Sequence, residues 1–462
     1  MARDLTELTR IIRRIEAKTR TSYSLASPSA AARPAPNSLA SPSARPALEA
    51  VLDGAVEETE RGRLLVVRRR FPVDHRHGAQ SLLAAREATP AALALLSRGG
   101  EPITEGRRLL YLDTETTGLA GGTGTYAFLV GVGFFDGTEF EVRQFFMRDL
   151  DEEPALLTVL EETFRQFDGF VTYNGAGFDL PLLETRFVLG RRRFPADVFH
   201  VDLLGPARRL WSARLADCRL GTVEQDVLGF LRDDDLPGAL IPTVYFEYLR
   251  RKRPDGLPRV FEHNRHDILS LAALTGWVAD AVARAPHPEL DPEALAGLGR
   301  MLEGADPERS VACYRLALDT GLPTPSRERL LLRLAHREKR LARWDEARAL
   351  WEAAARSPRD FDPRPWEEIA KVHEHRRRDL SAAREVVERA LALARRHRAS
   401  ARVQAAFEHR LERLGRRLAV PPRGASPALP AQPVPGEVRR GPALGLQKGP
   451  PPTSFNGARQ PA

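Results

Sequence analysis

Two carboxylates, Asp113 and Glu115, stand two positions apart at the end of an apolar run, and this spacing suggests metal chemistry. The run from Leu109 to Leu112 has the composition of a strand, so alternate residues share a face and the two carboxylates project together. Carboxylates held side by side repel each other, so such a pair binds a cation or shares protons. Oxygen ligands of this kind suit Mg²⁺ or Mn²⁺ better than zinc.

Two later segments supply two more acids and a histidine. A predicted helix over residues 154–167 and a predicted strand over residues 169–173 precede Asp179, which we expect to open a helix. Further along, His263 and Asp267 lie four positions apart in an apolar-periodic segment, so they share one face of a helix. We expect this helix to bring an imidazole beside the metal ligands, where the ring can accept a proton from water.

The order of these motifs resembles that of the DEDD exonucleases, which have a ribonuclease H-like fold. The motifs are Asp-Thr-Glu with Thr-Gly after it, Asn174 followed five residues later by Asp179, and a basic residue four positions before Asp267. Over roughly residues 48–415 the chain resembles the bacterial YprB family more specifically. The segments that carry this second resemblance are Gly121–Gly131, His200–Leu203, Leu220–Glu224 and Asp235–Gly238.

The resemblance implies both a fold and an activity. The fold is an α/β ribonuclease H-like mixed sheet flanked by helices, followed by an all-α tetratricopeptide-like repeat domain. The activity is 3′-to-5′ exonucleolytic hydrolysis of DNA by a two-metal mechanism, with Mg²⁺ or Mn²⁺ as the two ions. The expected partners are nucleic acid, with DNA favoured over RNA, and a helicase or other repair protein, because the family is linked to DNA repair.

The resemblance also implies roles for individual residues. It makes four acids the metal ligands and one histidine the general base: Asp113, Glu115, Asp179, Asp267 and His263. The histidine departs from the family pattern, in which a His lies five residues before the last Asp or a Tyr lies four before it. Those two positions hold Glu262 and His263 here. His266 is the weaker candidate base, because it lies about 100° from Asp267 around an ideal helix.

Two other functions fit the same sequence. The ribonuclease H-like core could support a non-catalytic adaptor that binds nucleic acid or protein, or the exonuclease could act mainly on RNA. No residue pattern identifies a reader of the RNA 2′-hydroxyl group, so the sequence leaves the choice of sugar open.

Composition and periodicity divide the chain into six segments. Ser24–Ala30 is repeated as Ser38–Ala44 in a stretch that cannot bury a core. After residue 285, small residues recur every 35 to 36 positions in paired helices, which predicts tetratricopeptide-like repeats or, failing that, an ordinary helical bundle. The segments are an amphipathic helix (1–19), a disordered linker (20–47), a bracing segment (48–108), the exonuclease domain (109–285), the helical repeats (286–418) and a disordered tail (419–462).

The net charge of +8 is distributed unevenly along the chain. Residues 109–285 contain 19 Lys and Arg against 27 Asp and Glu, a net charge of −8, so the flanking segments together carry +16. An acidic core fits a metal site and predicts that the grip on phosphate comes mainly from the flanks. Basic clusters at 191–193, 208–209 and 250–253 either line a substrate path or form solvated faces.

Composition also predicts a cytoplasmic protein without membrane contact. The chain has only two cysteines, which argues against a disulfide framework. The N-terminus lacks the apolar run of an export signal. The longest apolar run, Ala127–Phe135, is too short to cross a bilayer.

Three short motifs have structural interpretations that we prefer to chemical ones. The run Gly121–Gly124 precedes a strand and lacks the Gly-Lys-Ser/Thr ending of a phosphate loop, so it predicts a hairpin turn, with or without backbone contact to a terminal nucleotide. His75 and His77 have no further ligands nearby and are expected to be solvated residues of a hairpin. The acidic run Asp233–Asp235 is expected to be a solvated turn.

Overall fold

The computed structural model of the 462-residue chain describes residues 47–97, 104, 106–118, 123–195, 198–356 and 361–419. The predicted N-terminal helix (1–19), linker residues 20–46 and the tail from residue 420 lie outside these ranges. Contacts within the chain form two compact units, Met1–Leu330 and Leu331–Ala462. All of the predicted site residues belong to the first unit.

Nine strands occur among the described residues. In chain order they are β1 (Ala55–Thr59), β2 (Gly62–Pro72), β3 (Arg76–His77), β4 (Gln80–Ser81), β5 (Leu109–Thr116), β6 (Ala127–Asp136), β7 (Glu139–Phe146), β8 (Gly169–Thr172) and β9 (Phe199–Asp202). Strands β3 and β4 form a separate hairpin, and the other seven form one sheet in the order β1-β2-β7-β6-β5-β8-β9. The pairs β5/β8 and β8/β9 are parallel and the remaining pairs are antiparallel, so the predicted mixed sheet is confirmed.

Helices cover this sheet. Those of the first unit are α1 (Leu48–Leu52), α2 (Leu83–Arg86), α3 (Pro90–Leu96), α4 (Glu153–Phe164), α5 (Asp179–Leu189), α6 (Leu204–Trp211), α7 (Leu220–Val223), α8 (Ile241–Arg251), α9 (Leu257–Ala283), α10 (Pro292–Leu302) and α11 (Pro307–Asp319). Asp179 opens α5, as predicted. The predicted helix at 154–167 and strand at 169–173 are observed as α4 and β8, with ends within three residues of the prediction.

Strand β5 lies between a parallel and an antiparallel neighbour, and its two faces are covered by different helices. Leu110 and Leu112 belong to the apolar cluster that includes α4 and α5. Tyr111 belongs to the cluster that includes α9. Because side chains alternate along a strand, Asp113 and Glu115 lie on the same face as Tyr111, towards α9.

Two glycines of β6 let α9 lie directly on the sheet. A Cβ atom at Gly131 would be 2.1 Å from Asn264 Oδ1, and one at Gly133 would be 2.5 Å from Ile268 Cγ2. Any larger residue at these positions would push α9 away, because the first atom of its side chain would overlap the helix. This close contact determines how near the polar residues of α9 lie to β5.

The segment before residue 109 contributes to this sheet. The predicted strand over residues 63–71 is observed as β2, which pairs with β7 along eight residues. The hairpin predicted around His75 and His77 also forms, but the expectation of solvated histidines is wrong for His77. The hairpin packs on α9, so His77 is only 2% exposed and its Nε2 lies 2.6 Å from Ser270 Oγ. Burial lowers the pKa of His77 to about 3, which keeps the ring neutral.

The rest of the described chain is helical. Helix α12 (Ser326–Arg340) contains the division between the two units, and α13 (Trp344–Ala355), α14 (Pro363–Lys371), α15 (Leu380–Arg396) and α16 (Ala401–Leu418) follow it. The small residues Ala347, Ala383 and Ala390 are fully buried, as close helix packing requires. The helical C-terminal region is therefore confirmed, while its tetratricopeptide-like character stays a prediction. In the described parts of the chain, no helix has both the length and the apolar character needed to cross a bilayer.

Candidate active site and metal centre

Three elements bring the four predicted acids into one cluster. Asp113 and Glu115 project from β5 towards α9, which supplies Asp267. Because β8 runs parallel to β5, the chain leaves both strands at the same edge of the sheet, and Asp179 follows β8 at the start of α5. Thr114 Oγ1 donates a hydrogen bond to Asp179 Oδ1 at 2.6 Å, which ties α5 to β5.

The carboxylates of this cluster perturb one another. Burial raises the pKa of Asp113 well above its ordinary value, and the charges of Asp267, Glu115 and Asp179 raise it further. The pKa of Glu115 is raised in the same way, by burial and then by the charges of Asp267 and Asp179. Burial raises the pKa of Asp179 to about 6. Carboxyls that resist ionisation for these reasons are stabilised as anions when a cation lies among them.

The donor atoms of the cluster fit a divalent cation. Glu115, His263 and Asp267 each offer one ligand atom, and these three atoms lie within 4.8 Å of one another. Glu115 Oε1 is buried and has no hydrogen-bond partner in the described structure, a costly state that a cation would relieve. Asp113 and Asp179 lie outside this group of three but interact electrostatically with it. The carboxylates of the cluster are suitable ligands for Mg²⁺ or Mn²⁺.

Asn264 on α9 anchors Asp113. Its side chain is fully buried, and its Oδ1 accepts a hydrogen bond from Gln144 Nε2 at 2.9 Å. Because Gln144 occupies the amide oxygen, the amide nitrogen faces β5 and donates to Asp113 Oδ2 at 2.8 Å. The sequence pattern did not indicate this residue. The available signal was a polar residue on the buried face of an apolar helix.

A guanidinium that the sequence pattern did not indicate balances charge beside the acids. The Arg232 side chain is 10% exposed and donates to Asp267 Oδ1 and to Glu224 Oε1, the latter at 2.5 Å. Burial alone would lower the pKa of Arg232, but the charges of Asp267 and Glu224 raise it above its ordinary value. Glu224 begins a wide helical turn and Arg232 lies in the loop after it, so no single helix or strand places the two side chains on one face.

The two candidate histidines face different surroundings. His263 Nε2 lies 3.6 Å from Asp267 Oδ2, and the side chain is 15% exposed. His266 is turned away, with its ring centroid 5.1 Å from that of Phe230 and 6.2 Å from that of His77. Of the two rings, only that of His263 offers a nitrogen within 4.8 Å of carboxylate oxygens of both Glu115 and Asp267. The assignment of His263 rather than His266 as the base stays a prediction.

The loop that leads into α5 is held by Asp202 at the end of β9. Its carboxylate accepts hydrogen bonds from the backbone of Asn174 at 2.7 Å and of Ala176 at 3.3 Å, and from Leu204 N at 3.1 Å. Asn174 has φ of 65°, a left-handed conformation that such bonds help to maintain. Asp202 therefore determines where the loop delivers Asp179, although no motif in the sequence assigned it this role.

We expect Asp202→Ala to destabilise the protein by about 2–4 kcal/mol, because three part-buried backbone N–H groups lose the carboxylate that accepts their hydrogen bonds. Asp217→Ala is the matched control. Asp217 also accepts from a backbone N–H, that of Arg219 at 3.0 Å, but its side chain is 43% exposed, so water replaces the lost bond. Urea denaturation measures both changes. Equal losses in the two variants would contradict the assigned role of Asp202.

Of the three short motifs, the glycine run agrees with its structural interpretation, whereas the histidine motif and the acidic run each differ from theirs in part. Strands β5 and β6 form a hairpin, and Thr117 N donates to Tyr126 O at 2.9 Å, although Gly121 and Gly122 lie outside the described residues. The acidic run at 233–235 is a loop, but Asp235 is not merely solvated. Its Oδ1 lies 2.8 Å from His263 Nδ1.

Comparison with known proteins agrees with the fold. Residues 110–279, from β5 into α9, match the model of the RNase_H superfamily. The mixed sheet and its acidic edge thus define a ribonuclease H-like protein. The chain is 32% identical over 332 residues to the YprB protein of Bacillus subtilis (strain 168), and the match covers 70% of this chain and 78% of the Bacillus protein. The chain belongs to the YprB family.

Among solved structures, the family B DNA polymerase of the hyperthermophilic archaeon Pyrobaculum calidifontis is similar to 51% of this chain, with 18% identity and a TM-score of 0.30. The match covers 30% of the polymerase chain. The ribonuclease H-like fold suggests a nuclease and implies a nucleic acid substrate. Nucleases of this fold use divalent metal ions, and the described residues include an acidic cluster that fits them.

Proposed function

We propose that the protein is a metal-dependent 3′-to-5′ exonuclease that hydrolyses phosphodiester bonds in DNA by a two-metal mechanism, in the service of DNA repair. One observation carries the proposal. Four carboxylates share one edge of the sheet beside His263. Burial raises the pKa values of Asp113, Glu115 and Asp179, and repulsion from neighbouring carboxylates raises those of Asp113 and Glu115 further. A protein gains nothing in stability from such a cluster, so its chemistry is the better explanation.

The four acids are the proposed ligands of two Mg²⁺ or Mn²⁺ ions: Asp113, Glu115, Asp179 and Asp267. Ions bound there would neutralise phosphate charge, favour deprotonation of water and stabilise the leaving oxygen. The chain itself supplies the positioning. Asn264 and Thr114 hold the carboxylates of Asp113 and Asp179 through hydrogen bonds of 2.8 Å and 2.6 Å. His263 would accept a proton from the attacking water.

The direction of digestion, the preference for DNA and the role in repair rest on the resemblance of the motifs to DEDD exonucleases and to the YprB family. The same resemblance supports tetratricopeptide-like repeats over residues 286–418, after the exonuclease domain at 109–285. Those repeats are the proposed binding surface for a helicase or other repair protein. The basic flanks, which carry +16 against −8 in the core, would hold the phosphate backbone. The low cysteine content is consistent with a cytoplasmic location.

The full-length protein should be assayed on end-labelled single-stranded and double-stranded DNA and on matching RNA, with Mg²⁺, Mn²⁺ or a chelator. A ladder that shortens from the 3′ end only when metal is present supports the proposal. Faster digestion of RNA would favour the ribonuclease alternative. No metal-dependent digestion of any substrate would favour the non-catalytic adaptor.

We expect His263→Ala to slow hydrolysis roughly 10²-fold, because removal of a general base typically costs a factor of that size. His266→Ala is the matched control, since that ring packs against Phe230 instead of facing the acids. Single-turnover digestion of labelled DNA measures the rates. Full activity in His263→Ala would rule out the assigned base.

A further inference from the structure

The loop between α7 and α8 passes close to the imidazole of His263 and treats its two nitrogens differently. Asp235 Oδ1 lies 2.8 Å from Nδ1. On the other side, a Cβ atom built on Gly238 would be 4.0 Å from Nε2, so the residue at this position places no side chain against that nitrogen. One loop therefore provides a hydrogen-bond partner for one ring nitrogen and leaves room beside the other.

The contact with Asp235 determines which nitrogen carries the proton. An ionised carboxylate only accepts hydrogen bonds, so an imidazole nitrogen 2.8 Å from it must be the donor. A neutral ring with its proton on Nδ1 has a lone pair on Nε2. That nitrogen lies 3.6 Å from Asp267 Oδ2.

Arg232 is the competing neighbour of the same nitrogen. Its Nη1 lies 3.2 Å from His263 Nδ1, and it would bond there only if Nδ1 were unprotonated. An unprotonated Nδ1 would place two acceptors, the ring nitrogen and the Asp235 carboxylate, 2.8 Å apart without a proton between them. Arg232 Nη1 also lies 3.6 Å from Asp235 Oδ2, so the carboxylate accounts for the position of the guanidinium. The contact of Nδ1 with Asp235, at 2.8 Å, is shorter than its contact with Arg232, at 3.2 Å, so we assign the ring proton to Nδ1.

We propose that Asp235 is a positioning residue for His263: it holds the ring by its Nδ1–H group and directs the Nε2 lone pair into the carboxylate cluster. The catalytic part of this inference rests on the proposed nuclease function. Asp234, the preceding residue, is the natural comparison. It pairs with Arg259 at 3.1 Å, its side chain is 87% exposed, and it has no contact with His263.

The experiment compares the full-length wild type with Asp235→Ala, Asp235→Asn and Asp234→Ala. The ring tautomer is read from the imidazole nitrogen shifts of protein labelled with ¹⁵N-histidine, and the His263 signals are assigned with a His263→Gln variant. Steady-state hydrolysis of a single-stranded DNA oligonucleotide gives kcat and KM, and calorimetric titration with Mn²⁺ alone reports the metal site. The asparagine variant keeps an acceptor for Nδ1–H, so it is expected to restore much of what alanine loses.

We expect the Nδ1–H tautomer in the wild type and in Asp234→Ala, and a mixture of tautomers in Asp235→Ala. In Asp235→Ala, kcat should fall roughly 10- to 100-fold, with KM and Mn²⁺ affinity within about threefold of the wild type. An unchanged tautomer in Asp235→Ala, or a kcat equal to that of Asp234→Ala, would overturn the inference. An inactive wild type would overturn the proposed function instead, and the nitrogen shifts would still decide whether Asp235 holds the ring.

Discussion

Replacing Asp113 with asparagine is expected to reduce metal-dependent hydrolysis roughly 10³-fold or more, because the loss of a metal-ligand charge removes several kcal/mol of transition-state stabilisation. The fold should survive the change. Asparagine keeps the shape of aspartate, and its side-chain carbonyl can still accept the hydrogen bond from Asn264 Nδ2 that Asp113 Oδ2 accepts at 2.8 Å.

The same variant should be more stable than the wild type when no metal is present. The pKa of Asp113 is raised by burial and by the charges of Asp267, Glu115 and Asp179, so a neutral residue at this position relieves both costs. Each kcal/mol relieved would raise Tm by about 2–4 °C in a domain of this size. Thermal denaturation with excess chelator measures the change.

Asp136→Asn is a suitable control for both measurements, because Asp136 lies exposed at the far end of β6. Loss of activity together with a raised Tm identifies a site that trades stability for function. Full activity in Asp113→Asn would remove this carboxylate from the metal site. A lowered Tm would mean that the carboxylate charge has a stabilising partner in the folded state.

Divalent metal is expected to change how stability depends on pH. Asp113, Glu115 and Asp179 have folded-state pKa values above the values near 4 of an unfolded chain, about 6 for Asp179 and well above the ordinary value for the other two. Their contribution to the stability of the metal-free protein is therefore fully present below pH 4. It is lost as the pH rises through the folded-state values.

Mn²⁺ or Mg²⁺ should restore that stability at high pH, because the ions offset the charges that appear there. At 100 to 1,000 times the dissociation constant, a ligand stabilises the folded state by about 3–4 kcal/mol, and protonated carboxyls at pH 5 would forfeit much of this. Urea denaturation from pH 5 to 8, with Mn²⁺ or with chelator, measures the difference. Titration of His77 and other groups away from the site contributes equally to both conditions and cancels.

The expected result is a difference between the two curves that widens as the pH rises. Asp113→Asn should narrow the difference between the curves with metal and with chelator, since this variant lacks one of the titrating ligands. Parallel curves would show that metal does not bind at these carboxylates. A difference that widens towards low pH would reverse the assigned sign and require a different set of groups.

Local patterns in the sequence predicted a large part of this site. Alternation along β5 placed Asp113 and Glu115 on one face, and the spacing of four put His263 and Asp267 on one face of α9. These predictions succeeded because strand and helix periods are local properties of the backbone. The order of the motifs supplied the fold class, which the mixed sheet and the YprB relative confirm.

The structure added contacts that no local period encodes. Asn264 bonds Asp113 across 151 positions of sequence, and Asp235 meets His263 across 28. His77 is a further example. Its hairpin was predicted from the local sequence, but its burial against Ser270 on another element was not. In each case one partner lies in a loop or on a separate element, and only chain folding brings the two together.

The sequence by itself therefore determined which residue types are available for metal chemistry and which secondary-structure element carries each of them. The tertiary structure decided how those residues are held. It placed α9 on the two glycines of β6, Arg232 between Glu224 and Asp267, and the loop at 233–238 against His263. The physical reason is that periodicity specifies the direction of a side chain within its own element, whereas distance between elements depends on packing along the whole chain.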